Sequence, residues 1–164
     1  ITASGPDSMK SMRMNFNHPC KELIWCVKKE NSNVYWNNFS TANNGGEEKA
    51  TFNDYVSSEN PVQQAKIMLN GNDRFATRKG EYFSLVQPYQ HHENTPDQYH
   101  KGINVYSFAL KPEEHQPSGT LNMSRIDTAV LSVSSSIAGT IYIYAVNYNV
   151  LRILSGMGGL AYSN

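Results

Sequence analysis

The stretch GINVYSFALKPEEHQPSGTLNMSRIDTAVLSV, residues 102–133, decides the fold of this chain. From Ile103 to Leu110 nearly every residue is apolar or aromatic, on both faces of an extended strand. A strand that is apolar on both faces belongs between two packed sheets. The segment KPEE (residues 111–114) ends this strand because proline lacks an N–H group, and its glutamates suit the first turn of a short helix. A second apolar run follows from Leu121 to Val133, so the stretch predicts two strands joined by an acidic turn.

Further strand signals recur on both sides of this stretch, separated by turns rich in Gly, Pro and Asn. They cover Met12–Phe16, Glu22–Val27, Val34–Trp36, Ala65–Leu69 and a long final strand from Thr140 to about Leu154. One short amphipathic helix is predicted near residues 81–87, where Tyr82, Leu85 and Val86 recur at helical spacing before Pro88. Residues 1–10, 41–50 and 87–101 are predicted to be polar loops. Short strands at this spacing indicate an all-β sandwich or jelly roll in one domain.

The charge pattern limits the classes of function. Fourteen Lys and Arg residues balance fourteen Asp and Glu residues, and no basic run is longer than two. Direct binding to nucleic acid depends on clustered basic side chains and is therefore not expected. No apolar run reaches the length of a membrane span, and no charged segment followed by an apolar one indicates a signal peptide.

The two cysteines are predicted to be free thiols. Cys20 and Cys26 lie six positions apart on an extended segment. They are then roughly 20 Å apart, whereas a disulfide needs Cα atoms within about 7 Å. Free thiols fit a reducing compartment.

Histidines supply the candidate metal site. The segment HHENTPDQYH (residues 91–100) contains three imidazoles and two carboxylates that suit a mononuclear metal: His91, His92, His100, Glu93 and Asp97. However, adjacent side chains on an extended segment point to opposite faces, and a loop gives no rigid frame. A solvated loop or a subunit contact is the favoured interpretation. No metal, cofactor or catalytic residue is predicted, since no G-x-S-x-G elbow or Cys/His nucleophile motif is present.

Other candidate sites are possible subunit contacts. His115 follows two glutamates in the central turn, where it either forms a pH-sensitive contact or bonds the turn backbone. The tail GMGGLAYSN (residues 156–164) is too rich in glycine to form core alone, so Met157, Leu160 and Tyr162 are expected to dock on another surface. With His91 and His92, these residues form the predicted interface set.

Surface chemistry of two other kinds is also suggested. Asn38 and Asn122 each begin an N-glycosylation sequon. The tyrosines of the last strand could stack on sugars or bases, although core or subunit interface is the commoner role: Tyr142, Tyr144 and Tyr148.

Five blocks of the chain carry a family resemblance. NVYSFALKPEEHQPSGTLNMSRID (residues 104–127) resembles the C-terminal jelly roll of the major capsid proteins of nucleocytoplasmic large DNA viruses, such as phycodnaviruses and mimiviruses. Four other blocks resemble the same domain in the same order: RMNFNHPCKELIW (13–25), AKIMLNGNDRF (65–75), YFSLVQPYQHH (82–92) and NYNVLRILSGMGGLAYSN (147–164). The resemblance runs from about Met12 to the last residue.

The resemblance implies a non-enzymatic, structural virion protein without a cofactor. In the family, two jelly rolls per chain assemble as a homotrimer, a pseudo-hexagonal capsomer that tiles an icosahedral shell. The implied partners are neighbouring capsomers and minor capsid proteins, and the implied place of assembly is the host cytoplasm. Residues 1–164 are then a single C-terminal jelly roll, without the N-terminal jelly roll and without the first strand or strands of its own domain.

Two alternatives remain from other functional classes. A carbohydrate-binding jelly roll predicts exposed, coplanar aromatic side chains, such as Trp25, Trp36 or tyrosines, whereas a capsid domain buries most of them. A cupin-like metalloenzyme predicts a metal held by His91, His92 and His100. Glycan binding and metal analysis distinguish these alternatives from the capsid hypothesis.

Overall fold

The structure is a computed structural model that describes residues 2–3, 8–29, 38–41, 58–95 and 101–162. Short strands dominate it. In chain order they are β1 (Thr2–Ala3), β2 (Lys10–Met14), β3 (Pro19–Lys29), β4 (Val62–Leu69), β5 (Asn72–Asp73), β6 (Arg78–Lys79), β7 (Asn104–Ser107), β8 (Leu121–Asn122), β9 (Ala129–Ser135), β10 (Gly139–Asn147), β11 (Leu151–Leu154) and β12 (Met157–Leu160).

These strands form two antiparallel sheets and a separate hairpin. The first, here called the β3 sheet, has the order β1-β10-β3-β7, with β8 also beside β3. The second, the β9 sheet, has the order β2-β9-β4-β5, with β6 also beside β4. Strands β11 and β12 pair only with each other among the described residues. The predicted all-β sandwich is confirmed.

The core lies between the two sheets. Leu23, Trp25 and Val27 of β3 are fully buried, as the period-two pattern of this strand predicts. Buried side chains of the β9 sheet complete the core: Met12, Met14, Ala65, Ile67, Leu131 and Val133. Cys20 and Cys26 are buried free thiols, as predicted. Burial raises the pKa of Cys20 to about 12 and that of Cys26 to about 11.

In the central stretch, residues 102–133, the predicted core strand is present, but the turn after it differs from the prediction. All four residues of β7 are buried, which confirms a strand covered on both faces. The predicted extension to Leu110 is wrong, because the chain bends after Ser107 and leaves Leu110 71% exposed. No helix forms at residues 112–114. Instead, Lys111 donates its backbone N–H to Ser118 Oγ at 2.9 Å, which closes the turn without helical bonds.

The predicted helix is present, but it is longer and has a different buried face. A π-helical turn (Tyr82–Val86) continues into α1 (Gln87–His91), with Pro88 in the first turn of α1, where a missing N–H costs nothing. Residues 87–91 are therefore helix and not loop. The predicted apolar face is wrong, since Leu85 is 53% exposed while Phe83 is fully buried. A π-helical turn bonds i to i+5 and so rotates the face that a regular helix would present.

The C-terminal region differs most from its prediction. The prediction of a single strand from Thr140 to about Leu154 is wrong, because β10 ends at Asn147 and the chain then forms the β11–β12 hairpin. Ser155 and Gly156 both have positive φ, 51° and 79°, as a tight two-residue hairpin turn requires. At the other end of the chain, the predicted N-terminal loop contains β1 and the first residue of β2. The predicted strand at 34–36 and loop residues 42–50 and 96–100 lie outside the described residues.

Candidate functional site

The histidine segment lies at the end of α1, beside the central turn. His91 Nδ1 is 2.9 Å from the backbone oxygen of Leu110. His92 lies between two carboxylates: its Nδ1 is 2.8 Å from Glu113 Oε1, and its Nε2 is 3.0 Å from Glu22 Oε2. The contact with Glu22 lies within ion-pair distance for a protonated His92, but it does not meet hydrogen-bond geometry. His92 therefore joins the central turn to β3 within one chain.

The two carboxylates have opposite electrostatic environments. Burial raises the pKa of Glu22, and the charges of His92 and Lys21 only partly oppose this effect. The pKa of Glu113 is lowered, first by a hydrogen bond from the backbone N–H of Glu93 and then by His92. Lys21 adds a further tie by donating to the backbone oxygen of Pro112 at 2.8 Å. These contacts stabilise the turn against the sandwich.

Among the described residues, the contacts of His92 tie two segments of the chain together and do not converge on a metal-binding point. Both ring nitrogens of His92 face carboxylate oxygens instead of a shared point. Within the described residues, no three His, Cys, Asp or Glu side chains are placed to hold a metal ion. His100 and Asp97 of the predicted set lie outside those residues. Glu22 was not among the predicted site residues, since its only signal in the sequence is a carboxylate at the start of an apolar run.

Replacing His92 by alanine is expected to lower the free energy of unfolding by about 1–3 kcal/mol. The reason is that buried Glu22 would lose its nearest cationic partner and Glu113 would lose a hydrogen bond. Urea unfolding followed by circular dichroism measures the change. His115→Ala removes an exposed imidazole from the same turn and is the control, with an expected change below about 0.5 kcal/mol. Equal losses in the two variants would contradict this role for His92.

The two sequon asparagines have different environments. Asn38 is 7% exposed, and its Oδ1 accepts hydrogen bonds from the backbone N–H and the hydroxyl of Ser40. Asn122 is exposed, and its Oδ1 accepts the same pair of bonds from Ser124, the second residue of a short 3₁₀ helix (Met123–Arg125). Asn122 is thus the more accessible of the two predicted acceptors.

The aromatic side chains divide between the core and the surface. Trp25 is fully buried, and Trp36 lies outside the described residues. Tyr142 and Tyr144 are 41% and 56% exposed on the outer face of β10, with their rings stacked at an interplanar angle of 10°. Tyr148 is half-buried, with Lys21 Nζ 4.8 Å from its ring centroid.

The predicted C-terminal contact residues lie on or beside the β11–β12 hairpin. Met157 and Leu160 are 74% and 65% exposed. Tyr162 instead contacts its own domain, with its ring edge-on to His18 at 5.8 Å between centroids. The strand character of residues 151–154 was predicted, but their hairpin pairing with β12 was not, although the dipeptide Ser155-Gly156 between two apolar runs is a turn signal. Within the described part of the chain, no helix has the length and apolarity needed to cross a membrane.

Comparison with known proteins identifies the family. Residues 2–159 match the family described as large eukaryotic DNA virus major capsid protein. The chain is 46% identical to the major capsid protein of Pyramimonas orientalis virus, over 98% of this chain and 41% of that protein. It is 42% identical to the major capsid protein of Paramecium bursaria Chlorella virus 1, over 94% of this chain and 43% of that protein.

Solved structures agree with this assignment. A chain of the quasi-atomic model of the PBCV-1 virus capsid matches with a TM-score of 0.76 and 37% identity, over 100% of this chain and 49% of that chain. The predicted jelly-roll fold is thereby confirmed. The chain spans less than half the length of these relatives. The sequence and structure together place this chain in the family of large eukaryotic DNA virus major capsid proteins.

Proposed function

We propose that this chain is part of a structural virion protein that forms the capsid of a large DNA virus. The observation that carries this proposal is the family match over residues 2–159, supported by the similarity to a solved virus capsid. The protein would assemble as a homotrimer, and these pseudo-hexagonal capsomers would tile an icosahedral shell. Neighbouring capsomers and minor capsid proteins would be its partners, with assembly in the host cytoplasm and no enzymatic role.

We further propose that residues 1–164 are the C-terminal jelly roll of a two-domain chain. The coverage of 41–49% of each relative supports this division.

The mechanism of such a protein is geometric. Two sheets with a buried core give a rigid wall, and many modest contacts between copies add to a large total. A formal net charge of zero avoids long-range repulsion between identical neighbours. The absence of a basic run in the sequence argues against direct contact with the genome. His115 in the exposed turn is a candidate contact between copies of the protein. Asn122 is a candidate glycosylation site on the surface outside those contacts.

The full-length protein is expected to form a trimer in solution. Native mass measurement at high protein concentration gives the stoichiometry, and electron microscopy of the same sample tests for a pseudo-hexagonal outline. A full-length protein that stays monomeric under these conditions would overturn the proposal.

One observation favours a second candidate function, carbohydrate binding. Tyr142 and Tyr144 are exposed and their rings are nearly parallel, so they offer aromatic surface on which a sugar could stack. This candidate predicts glycan-array binding that Tyr144→Ala abolishes, while Tyr89→Ala, a change at an 80% exposed tyrosine elsewhere, leaves binding intact. If the wild-type protein binds no glycan on the array, the carbohydrate-binding function is excluded.

A further inference from the structure

The β11–β12 hairpin is an apolar arm that the described residues of its own domain leave exposed. We define the arm as residues 150–160. All eight strand residues are exposed, and six large apolar side chains are 54–74% exposed: Val150, Leu151, Ile153, Leu154, Met157 and Leu160. Isolated apolar side chains on a surface are ordinary, but six within eleven residues are a contiguous patch that marks an interaction site.

Both faces of the arm are apolar. The register pairs Leu151 with Leu160 on one face and Leu154 with Met157 on the other. Because neighbouring residues of a strand point to opposite faces, one flat partner surface cannot cover both. A two-stranded hairpin is also only marginally stable in water by itself. The arm is therefore suited to insertion between two surfaces.

The base of the arm is fixed to the sandwich, so the arm projects in a defined direction. Asn149 donates its side-chain Nδ2 to the backbone oxygen of Tyr162 at 3.0 Å, and its Oδ1 accepts the backbone N–H of Val150 at 2.8 Å. The backbone N–H of Tyr148 bonds the oxygen of Pro19 at 2.8 Å, which ties the strand before the arm to β3. An exposed apolar arm with a fixed base is suited to contact with another protein surface.

We propose that the arm docks on a second copy of this protein, and this inference rests on the proposed function as a self-assembling capsid subunit. In a closed ring of identical copies, each subunit gives one arm and receives one, so a single hairpin stabilises every interface. Arg152 is the only charged residue in the arm, so contact between identical copies does not bring together several like charges.

The first test compares two variants of the full-length protein. Ile153→Ser with Leu154→Ser places one polar side chain on each face of the arm. The control is Leu110→Ser, an equally exposed leucine (71%) on the central turn. The arm variant is expected to need at least about tenfold more protein to reach half assembly, by native mass measurement. Its monomer is expected to unfold at the wild-type temperature, and the control is expected to assemble normally.

Three results would overturn the proposal in distinguishable ways. Wild-type assembly of the arm variant would show that the arm is not at the interface. A lowered unfolding temperature of the variant monomer would show that the arm packs on another part of its own chain. A wild-type protein that never assembles would overturn the proposed function and this inference with it.

A second test measures burial of the arm directly in the assembled full-length protein. Gly159→Cys introduces a thiol at a position where an added Cβ meets nothing within 4 Å. Cys20 and Cys26 are buried, with pKa values raised to about 12 and about 11, so within this domain a maleimide added near neutral pH labels the new thiol selectively. Protein without the Gly159→Cys change, labelled in parallel, gives the background from the rest of the full-length chain. Labelling is expected to be fast in dissociated subunits and strongly suppressed in assemblies. Equal labelling in both states would overturn the proposal.

Discussion

Replacing Trp25 by alanine is expected to lower the free energy of unfolding by about 3–5 kcal/mol, the range for deleting a large buried aromatic side chain. Trp25 is fully buried on β3, and its ring contacts Phe83 at 5.0 Å between centroids. Because Phe83 belongs to the π-helical turn, the cavity would also loosen the helical segment from the sandwich. Urea unfolding followed by circular dichroism measures the loss.

Two further variants separate ring packing from other effects of this substitution. Trp25→Phe keeps an aromatic ring and removes the buried indole N–H, which has no hydrogen-bond partner among the described residues. It is therefore expected to cost clearly less than the alanine variant. Tyr89→Ala at an 80% exposed position is expected to be nearly neutral. A loss below about 1 kcal/mol for Trp25→Ala would contradict this packing role.

Gly80→Ala is expected to cost about 3 kcal/mol or more, since overpacking typically costs 1–3 kcal/mol even where side chains can adjust. A Cβ added at Gly80 would collide with the backbone carbonyl of Val62 on β4, and a backbone group cannot turn away as a side chain can. The variant is expected to show a lower urea midpoint or to be recovered largely unfolded.

The matched control for this variant makes the same substitution in open space. Gly159→Ala adds a Cβ that meets nothing within 4 Å, and Gly159 does not have positive φ. It is expected to change the free energy of unfolding by less than about 0.5 kcal/mol. A mild effect of Gly80→Ala, equal to that of the control, would show that β4 and the helical segment can separate without loss.

The features that local patterns encode could be predicted from sequence. The period of two places Leu23, Trp25 and Val27 on one face of β3, and all three are fully buried. The Asn70–Asp73 turn is likewise local, with Asn70 and Gly71 at positive φ of 49° and 82°. The resemblance then supplied the jelly-roll topology and the family, which no local pattern contains.

Features that depend on distant neighbours could not be predicted in this way. His92 was considered as a metal ligand because of the histidines beside it in sequence, whereas Glu22, from a strand far away in the chain, determines its surroundings. The prediction of which face of the helical segment is buried was wrong, because a π-helical turn changes the angle between successive side chains. The C-terminal hairpin was missed because its apolar residues continue the pattern of β10, and only the Ser155-Gly156 turn divides them.

The strand pairing also determines when this domain can fold during synthesis. Ser11 on β2 bonds Ser132 on β9, 121 positions later, and β3 pairs with β10 at a similar separation. Neither sheet can close until β9 and β10 have left the ribosome, so almost the whole domain must be translated first. Such non-local pairing folds slowly and leaves apolar strands uncovered on the nascent chain. Chaperones, and the pace of translation through β9 and β10, therefore bear on the yield of native protein.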